Sequence, residues 1–416
     1  MEYDAFLSDD AQRWIERVGQ ADILVGIPSY NNAATIGHVV QMAAQGMVQY
    51  FPDLKPALVN SDGGSHDGTM DVVRRTPVPE GVEKIATQYV GPSGKGSAFR
   101  TIFAIARALG VKACVVVDSD LRSIAPWWIE RLAGPVVKGE AEYVTPYYNR
   151  YKYDGTITNN ICYPMTRALY GVDIRQPIGG DFGFVASLVD AYLSQPVWET
   201  DVARYGIDIW MTTTAINQGA RVYQAHLGVK IHDVKDPAAT LGPMFRQVVG
   251  TLFSLMSTYE ERWRAVRETH PAPLYGEPLA QEPEPMEVTL SAMIEKLRGG
   301  LAELEEVWAQ ILAPDNLAAV REIATQSEDD YTFPAETWAK IVYDFAVAYN
   351  KRGPYRDLAL SPAEVIAAMT PLYYGRTAGL VVESRDMDTA TFEEQVIQRQ
   401  ARVFEELKSY LIERWE

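Results

Sequence analysis

Apolar and polar positions fall into two alternating patterns over the first 270 residues. Short β-branched runs end abruptly at polar or turn residues, and between them lie segments whose apolar residues recur every three or four positions. Ile23-Leu24-Val25-Gly26-Ile27 is a run of the first kind, ending at Pro28. Residues 33–51 are of the second kind, with Ile36, Val39, Val40, Ala43 and Met47 on one helical face. The pattern then predicts a strand over 56–62, a turn-rich loop Gly63-Gly64-Ser65-His66-Asp67-Gly68, a helix over 69–75 and a strand over 83–90. Gly91-Pro92-Ser93-Gly94-Lys95-Gly96 opens a helix to about Leu109, and a strand follows over 111–118. Strands over 142–148 and 221–231 and helices over 157–170 and 207–217 complete this part. Such alternation predicts an α/β domain with a doubly wound, mostly parallel sheet.

The pattern changes after His270. Pro271, Pro273, Pro278, Pro283 and Pro285, interspersed with Glu277, Glu282 and Glu284, read as a linker over 271–288. Beyond it the strand signal vanishes. Leu290, Met293, Ile294, Leu297, Leu301 and Leu304 keep helical spacing, as do Phe392, Val396, Ile397, Val403, Phe404, Leu407 and Leu411. An all-helical domain over 289–416 is expected, broken near Pro314, Pro334, Pro354, Pro362 and Pro371. The catalytic domain is then expected over 1–270.

The chemistry gathers where strands end. Ala113-Cys114-Val115-Val116-Val117 is followed at once by Asp118-Ser119-Asp120. A run so apolar reads as a strand buried on both faces, and in an open α/β sheet ligands bind outside the carboxyl ends of strands. Two carboxylates at i, i+2 repel unless a cation lies between them. Mg²⁺ or Mn²⁺ bridging to a diphosphate answers that requirement. Gly94-Lys95-Gly96 at a helix start adds a lysine and free N–H groups for a phosphate, without the layout of a P-loop. The loops at Pro28-Ser29-Tyr30-Asn31-Asn32 and Asn60-Ser61-Asp62 stand where a nucleobase and ribose would be held. Pro28, Tyr30, Asn32, Ser61, Asp62, Lys95, Asp118 and Ser119 are therefore the candidate nucleotide-sugar residues.

Charge narrows the partners. A net charge of −17 disfavours nucleic acid and anionic membranes, and no apolar run reaches the length of a transmembrane helix. The start Met1-Glu2-Tyr3-Asp4 lacks a basic–apolar signal layout. The two cysteines, Cys114 and Cys162, read as reduced core thiols, so a cytoplasmic protein is expected. The C-terminal helices suggest a homodimer interface.

Taken in order, these motifs resemble the GT-A fold of nucleotide-sugar-dependent glycosyltransferases. Tyr205-Gly206-Ile207-Asp208-Ile209 and Leu227-Gly228-Val229-Lys230-Ile231-His232 sharpen the likeness to a small group of retaining enzymes. These are the mannosylglycerate synthases and glucosyl-3-phosphoglycerate synthases, and the likeness covers roughly 22–260. The resemblance implies that Asp120 and His232, with Asp118 on the ribose or the metal, hold Mg²⁺ or Mn²⁺. It also implies that Asp208 lies near the reacting sugar and that Lys95 and Asp120 serve catalysis.

For the acceptor, Arg150 and the helix start Gly155-Thr156-Ile157-Thr158 offer a carboxylate an arginine, N–H groups and a hydroxyl. Thr156 stands where the phosphoglycerate-using enzymes place an arginine, and Lys152 is the remaining nearby cation. The expected reaction is hexose transfer from GDP-mannose or UDP-glucose to the 2-hydroxyl of D-glycerate, giving mannosylglycerate or glucosylglycerate, a compatible solute. The alternatives are 3-phosphoglycerate, a larger glycan or lipid acceptor, or a sugar nucleotidyltransferase. The last class carries a glycine-rich basic loop after its first strand, which Ser29-Tyr30-Asn31-Asn32 lacks.

Overall fold

The computed structural model describes residues 6–232 and 237–416, with no account of the side chains of 237–241. Ten strands occur among them: β1 Ile23–Ser29, β2 Pro56–Asp62, β3 Glu83–Gln88, β4 Ala113–Val116, β5 Tyr143–Asn149, β6 Val172–Asp173, β7 Phe182–Val185, β8 Val222–Val229, β9 His270–Pro271 and β10 Leu274–Tyr275. The chain forms two compact units interleaved in sequence. One comprises 1–149, 176–236 and 272–283; the other comprises 150–175, 237–271 and 284–416. Hydropathy puts a single break at 271–288, whereas packing assigns 150–175 and 237–271 to the helical unit.

The first unit is built on an eight-stranded sheet ordered β10-β8-β5-β7-β4-β1-β2-β3. Every pairing is parallel except those of β7, which runs antiparallel to both β4 and β5. This is the doubly wound, mostly parallel sheet that the sequence pattern predicts. All of β1 and β4 is buried, which is why both are continuous apolar runs. The register pairs Ser29 with Asp62 and Gly26 with Val116, so β1, β2 and β4 end at one edge. Because β7 runs the other way, it begins at that edge, with Asp181 just before it. β8 ends there too, followed by Lys230 and His232.

β7 is absent from the sequence expectation, for a physical reason. Phe182-Gly183-Phe184-Val185 is too short to distinguish strand from turn by periodicity. Its glycine reflects tight packing, since a Cβ on Gly183 would sit 2.0 Å from the Leu132 carbonyl oxygen of the covering helix Pro126–Val137. The proline-rich segment is likewise not a bare linker. Within it β10 pairs with β8, and Asn149 Nδ2 donates to the Leu279 and Gln281 carbonyls at 2.8 and 3.0 Å.

The second unit is helical apart from the β6–β9 pair. Its prolines mostly start helices: Pro314 and Pro362 occupy first turns, and Pro334 precedes the helix Ala335–Tyr349. Pro371 does not break the chain as expected. The helix Pro362–Glu383 runs through it, and its ring packs on Gly300, where a Cβ would lie 2.4 Å from Pro371 Cβ. Tertiary packing there outweighs the local penalty of an interior proline. Among the described residues no helix is long and apolar enough to cross a membrane.

Candidate active site

At the strand-end edge of the first unit, five charged side chains form one network. Lys95 Nζ lies 2.9 Å from Asp118 Oδ1 and 3.2 Å from Asp208. Lys230 Nζ lies 2.8 Å from Asp118 Oδ2 and 2.9 Å from Asp181 Oδ2, and donates to the Gly179 carbonyl at 2.9 Å. Asp181 Oδ1 accepts the Asp118 backbone N–H at 2.8 Å, and Tyr148 Oη donates to Asp181 Oδ2. Asp118 is thus a carboxylate held between two ammonium groups, with one oxygen on each.

Burial opposes charge throughout this network, and the neighbours decide each outcome. Burial works against the Lys95 ammonium, but Asp118 and Asp208 outweigh it and hold it above the ordinary lysine range. Burial would raise Asp118, but Lys230 and Lys95 keep its carboxyl well below the usual carboxylate range. For Asp208 burial prevails over Lys95 and moves the carboxyl up. Asp181 is raised by burial in the same way, in spite of Lys230. Asp208 Oδ1 is buried with no hydrogen-bond donor, because the nearby Lys95 is outside hydrogen-bonding geometry for that oxygen.

Two glycines permit this assembly. Gly94 and Gly96 flank Lys95 and lie against the short turn Asp201–Ala203, and Gly96 N donates to the Arg204 carbonyl at 3.2 Å. A Cβ on Gly96 would fall 1.8 Å from the Val202 carbonyl oxygen. That contact brings the start of helix Lys95–Ala108 to the start of helix Ile207–Asn217, and so Lys95 to Asp208. Gly96→Ala should therefore lower kcat/KM roughly 10²-fold, the scale of an ångström-size misplacement. Transfer kinetics beside a thermal melt check this; a folded variant with the wild-type rate would contradict it.

The loops after β1 and β2 are laced together. Asp62 accepts from Ser29 Oγ at 2.6 Å, Gly64 N at 2.9 Å and Ser65 N and Oγ at 2.7 Å each. Fully buried, it shapes the loop. Ser61 is also fully buried, with its hydroxyl unpartnered, and Pro28 lies within the buried β1. Asn32 Oδ1 accepts from Tyr30 N at 3.0 Å and from Ser119 Oγ at 2.8 Å, joining this loop to Asp118-Ser119-Asp120. Tyr30 is 57% exposed and meets His66 edge-on at 5.7 Å, a surface suited to a nucleobase.

Asp118, Asp120 and His232 do not form one cage. Asp118 turns both oxygens to lysines, and among the described residues no three His, Cys, Asp or Glu side chains gather closely enough to hold a metal. Asp120 and His232 come from adjacent backbones, since Leu121 and His232 form an antiparallel bridge and Arg122 N donates to the Ile231 carbonyl at 2.8 Å. One carboxylate and one imidazole fit a Mg²⁺ or Mn²⁺ whose other ligands are phosphate oxygens and water.

The candidate acceptor residues belong to the second unit. Arg150 Nη1 pairs with Asp154 Oδ2 at 2.9 Å, and Gly155 takes a positive φ of 68° beside it. Thr156 Oγ1 bonds the Tyr373 hydroxyl, Ile157 is buried, and Thr158 opens a π-helical turn over Thr158–Cys162. Lys152 is engaged by backbone carbonyls of the same unit. Its ammonium donates to the Ser384, Arg385 and Met387 carbonyls at 2.6, 2.9 and 2.9 Å, holding the turn that follows helix Pro362–Glu383 with all three of its protons.

Asp181, Lys230 and Tyr148 are the members of the charged network absent from the sequence-based set. The available signals were a Gly-Gly-Asp before a short apolar run and a lysine two residues before His232.

No protein-family model matches the chain. It is 26% identical over 255 residues to the glucosyl-3-phosphoglycerate synthase of Mycolicibacterium paratuberculosis, covering 56% of this chain and 71% of the relative. The protein of the same name from Mycobacterium tuberculosis matches at 26% over 255 residues, covering 56% and 72%. A crystal structure of the latter with Mn²⁺, UDP and glucosyl-3-phosphoglycerate aligns at 25% identity and a TM-score of 0.45, over 59% of this chain and 83% of that one. With its strand-end charged site and this sequence likeness, the chain is a glycosyltransferase similar in sequence to the glucosyl-3-phosphoglycerate synthases.

Proposed function

We propose that the protein transfers a hexose, with retention at the anomeric carbon, from a nucleoside diphosphate sugar to the 2-hydroxyl of D-glycerate. The observation that carries this reading is the Lys95–Asp118–Asp208 cluster at the strand-end edge, where Asp208 Oδ1, ion-paired with Lys95 but without an aligned hydrogen bond, can accept from a sugar hydroxyl. Lys95 supplies positive charge for the diphosphate. Asp208 orients the transferred sugar, and the exposed Tyr30 ring takes the base. UDP-glucose is the preferred donor, because the relatives in the comparison are glucosyl enzymes and one is crystallised with UDP.

Asp120 and His232 would hold Mg²⁺ or Mn²⁺. The ion would supply Lewis-acid stabilisation of the departing diphosphate, worth several kcal/mol in such sites. Asp208 is paired with Lys95, which weakens it as a nucleophile. Front-face attack is therefore preferred over double displacement, with the leaving phosphate taking the proton of the acceptor hydroxyl. A cytoplasmic, homodimeric enzyme is part of this reading.

The preference for glycerate rests on the cations near the acceptor segment. A phosphomonoester carries a charge near −2 at neutral pH, its second pKa being about 6. In a chain of net charge −17 it needs dedicated cations. Thr156 replaces one, and Lys152 is committed to three carbonyls. Arg150 remains for the carboxylate, which would take it over from Asp154. kcat/KM for D-glycerate should exceed that for 3-phosphoglycerate, and Thr156→Arg should shift preference toward the phosphorylated acid. Arg150→Ala should weaken acceptor binding by about 2–3 kcal/mol. The second reading, 3-phosphoglycerate as acceptor, is favoured by the names of the relatives. Competition kinetics with both acids decide between the two.

A further inference from the structure

We propose that Lys230 is a positioning residue for nucleotide-sugar binding: anchored by Asp181 and Tyr148, it fixes the carboxylate of Asp118 in the orientation that receives the donor. The inference rests on the donor-side reading above and extends it to three residues that reading leaves without a role.

The geometry separates holding from touching. Asp118 retains 24% side-chain exposure, Lys230 5% and Asp181 none, so only Asp118 faces a ligand. Lys230 directs its three protons to Asp118 Oδ2, Asp181 Oδ2 and the Gly179 carbonyl. Asp181 grips the same residue twice, through the Asp118 backbone N–H and through Lys230. Tyr148 Oη fixes the Asp181 carboxylate, and the Tyr148 backbone is in turn held by the Gln176 side chain, its N–H donating at 3.3 Å and its carbonyl accepting at 2.9 Å. Gly180 keeps the space open, since a Cβ there would lie 2.3 Å from Asp118 Oδ2. Each Asp118 oxygen accepts one lysine proton and keeps a lone pair for a ligand hydroxyl. With both oxygens fixed, the carboxylate plane is set before the donor arrives, which lowers the ordering cost of binding.

A carboxylate that holds the donor equally in ground and transition states acts on KM more than on kcat. The test uses the full chain carrying Lys230→Met together with Asp181→Asn, which removes one buried charge of each sign and leaves neither partner uncompensated. Circular dichroism and a thermal melt establish folding. UDP is then titrated calorimetrically with Mn²⁺ present, with GDP as a second probe, and kinetics follow with UDP-glucose and D-glycerate. Expected are about tenfold weaker UDP binding and an about tenfold higher donor KM, with kcat and acceptor KM within about threefold of wild type. On an Asp118→Asn background the same two changes should add less than about twofold, because no carboxylate remains to be held.

A lower melting temperature with unchanged donor KM would overturn the proposal, as would a full additional loss on the Asp118→Asn background. If the double variant fails to fold, Tyr148→Phe removes one hydrogen bond to the anchor and should raise donor KM about threefold; an unchanged KM would overturn the proposal there too. Wild-type protein that binds neither UDP nor GDP would overturn the donor-side reading itself, an outcome visible before any variant is made.

Discussion

Chelation with EDTA should abolish hexose transfer, and Mg²⁺ or Mn²⁺ should restore it. Asp120 and His232 are the proposed protein ligands of the ion, and their backbones are adjacent through the Leu121–His232 bridge. With so few protein ligands, each contributes a large share of the binding. His232→Ala should lower kcat roughly 10²-fold or more, by analogy with removing one preorganised electrostatic group. Titrating Mn²⁺ into the EDTA-treated variant should also show weaker metal binding than in wild type. Full transfer in excess chelator would remove the metal from the account, and a wild-type rate for His232→Ala would return that histidine to a structural role.

Lys95→Met should be the most damaging single substitution, costing roughly 10³-fold in kcat. The change takes away the ammonium shared by Asp118 and Asp208 and leaves three buried carboxylates with Lys230 alone. The variant should still fold at mildly acidic pH. Burial already raises Asp208, and without Lys95 it should take up a proton before the chain unfolds. The sign follows from linkage: a carboxyl raised above its unfolded value adds stability below the unfolded pKa, and that stability is lost as pH rises through the folded value. The melting temperature of Lys95→Met, relative to wild type, should therefore drop as pH increases. Stopped-flow or endpoint transfer assays and melts across pH read both effects; a rate within about tenfold of wild type would contradict the role given to Lys95.

The strands that carry the site were legible in the sequence because they are buried on both faces. β1, β2 and β4 stand out as apolar runs, and their polar exits mark the ligand edge. β7 was not legible, since its four residues include a glycine required by the helix above it. Without β7 the position of Asp181 could not be derived, nor its partnership with Lys230, 49 positions away in sequence. Asp62 looked like a ribose contact by its place after β2, but its bonds to Ser29, Gly64 and Ser65 depend on how two loops meet, which composition does not encode. At 271–288 proline and acid density hid the edge strand β10. Local propensity predicts elements; which polar groups satisfy each other is decided by tertiary register.

The most direct test of the central claim is proton NMR of the reaction of UDP-glucose with D-glycerate in the presence of Mn²⁺. Release of UDP and a new α-anomeric signal on a glucose linked to the 2-hydroxyl of glycerate are expected. A β-anomeric product, or intact donor with glycerate, 3-phosphoglycerate and GDP-mannose all tried, would contradict that claim.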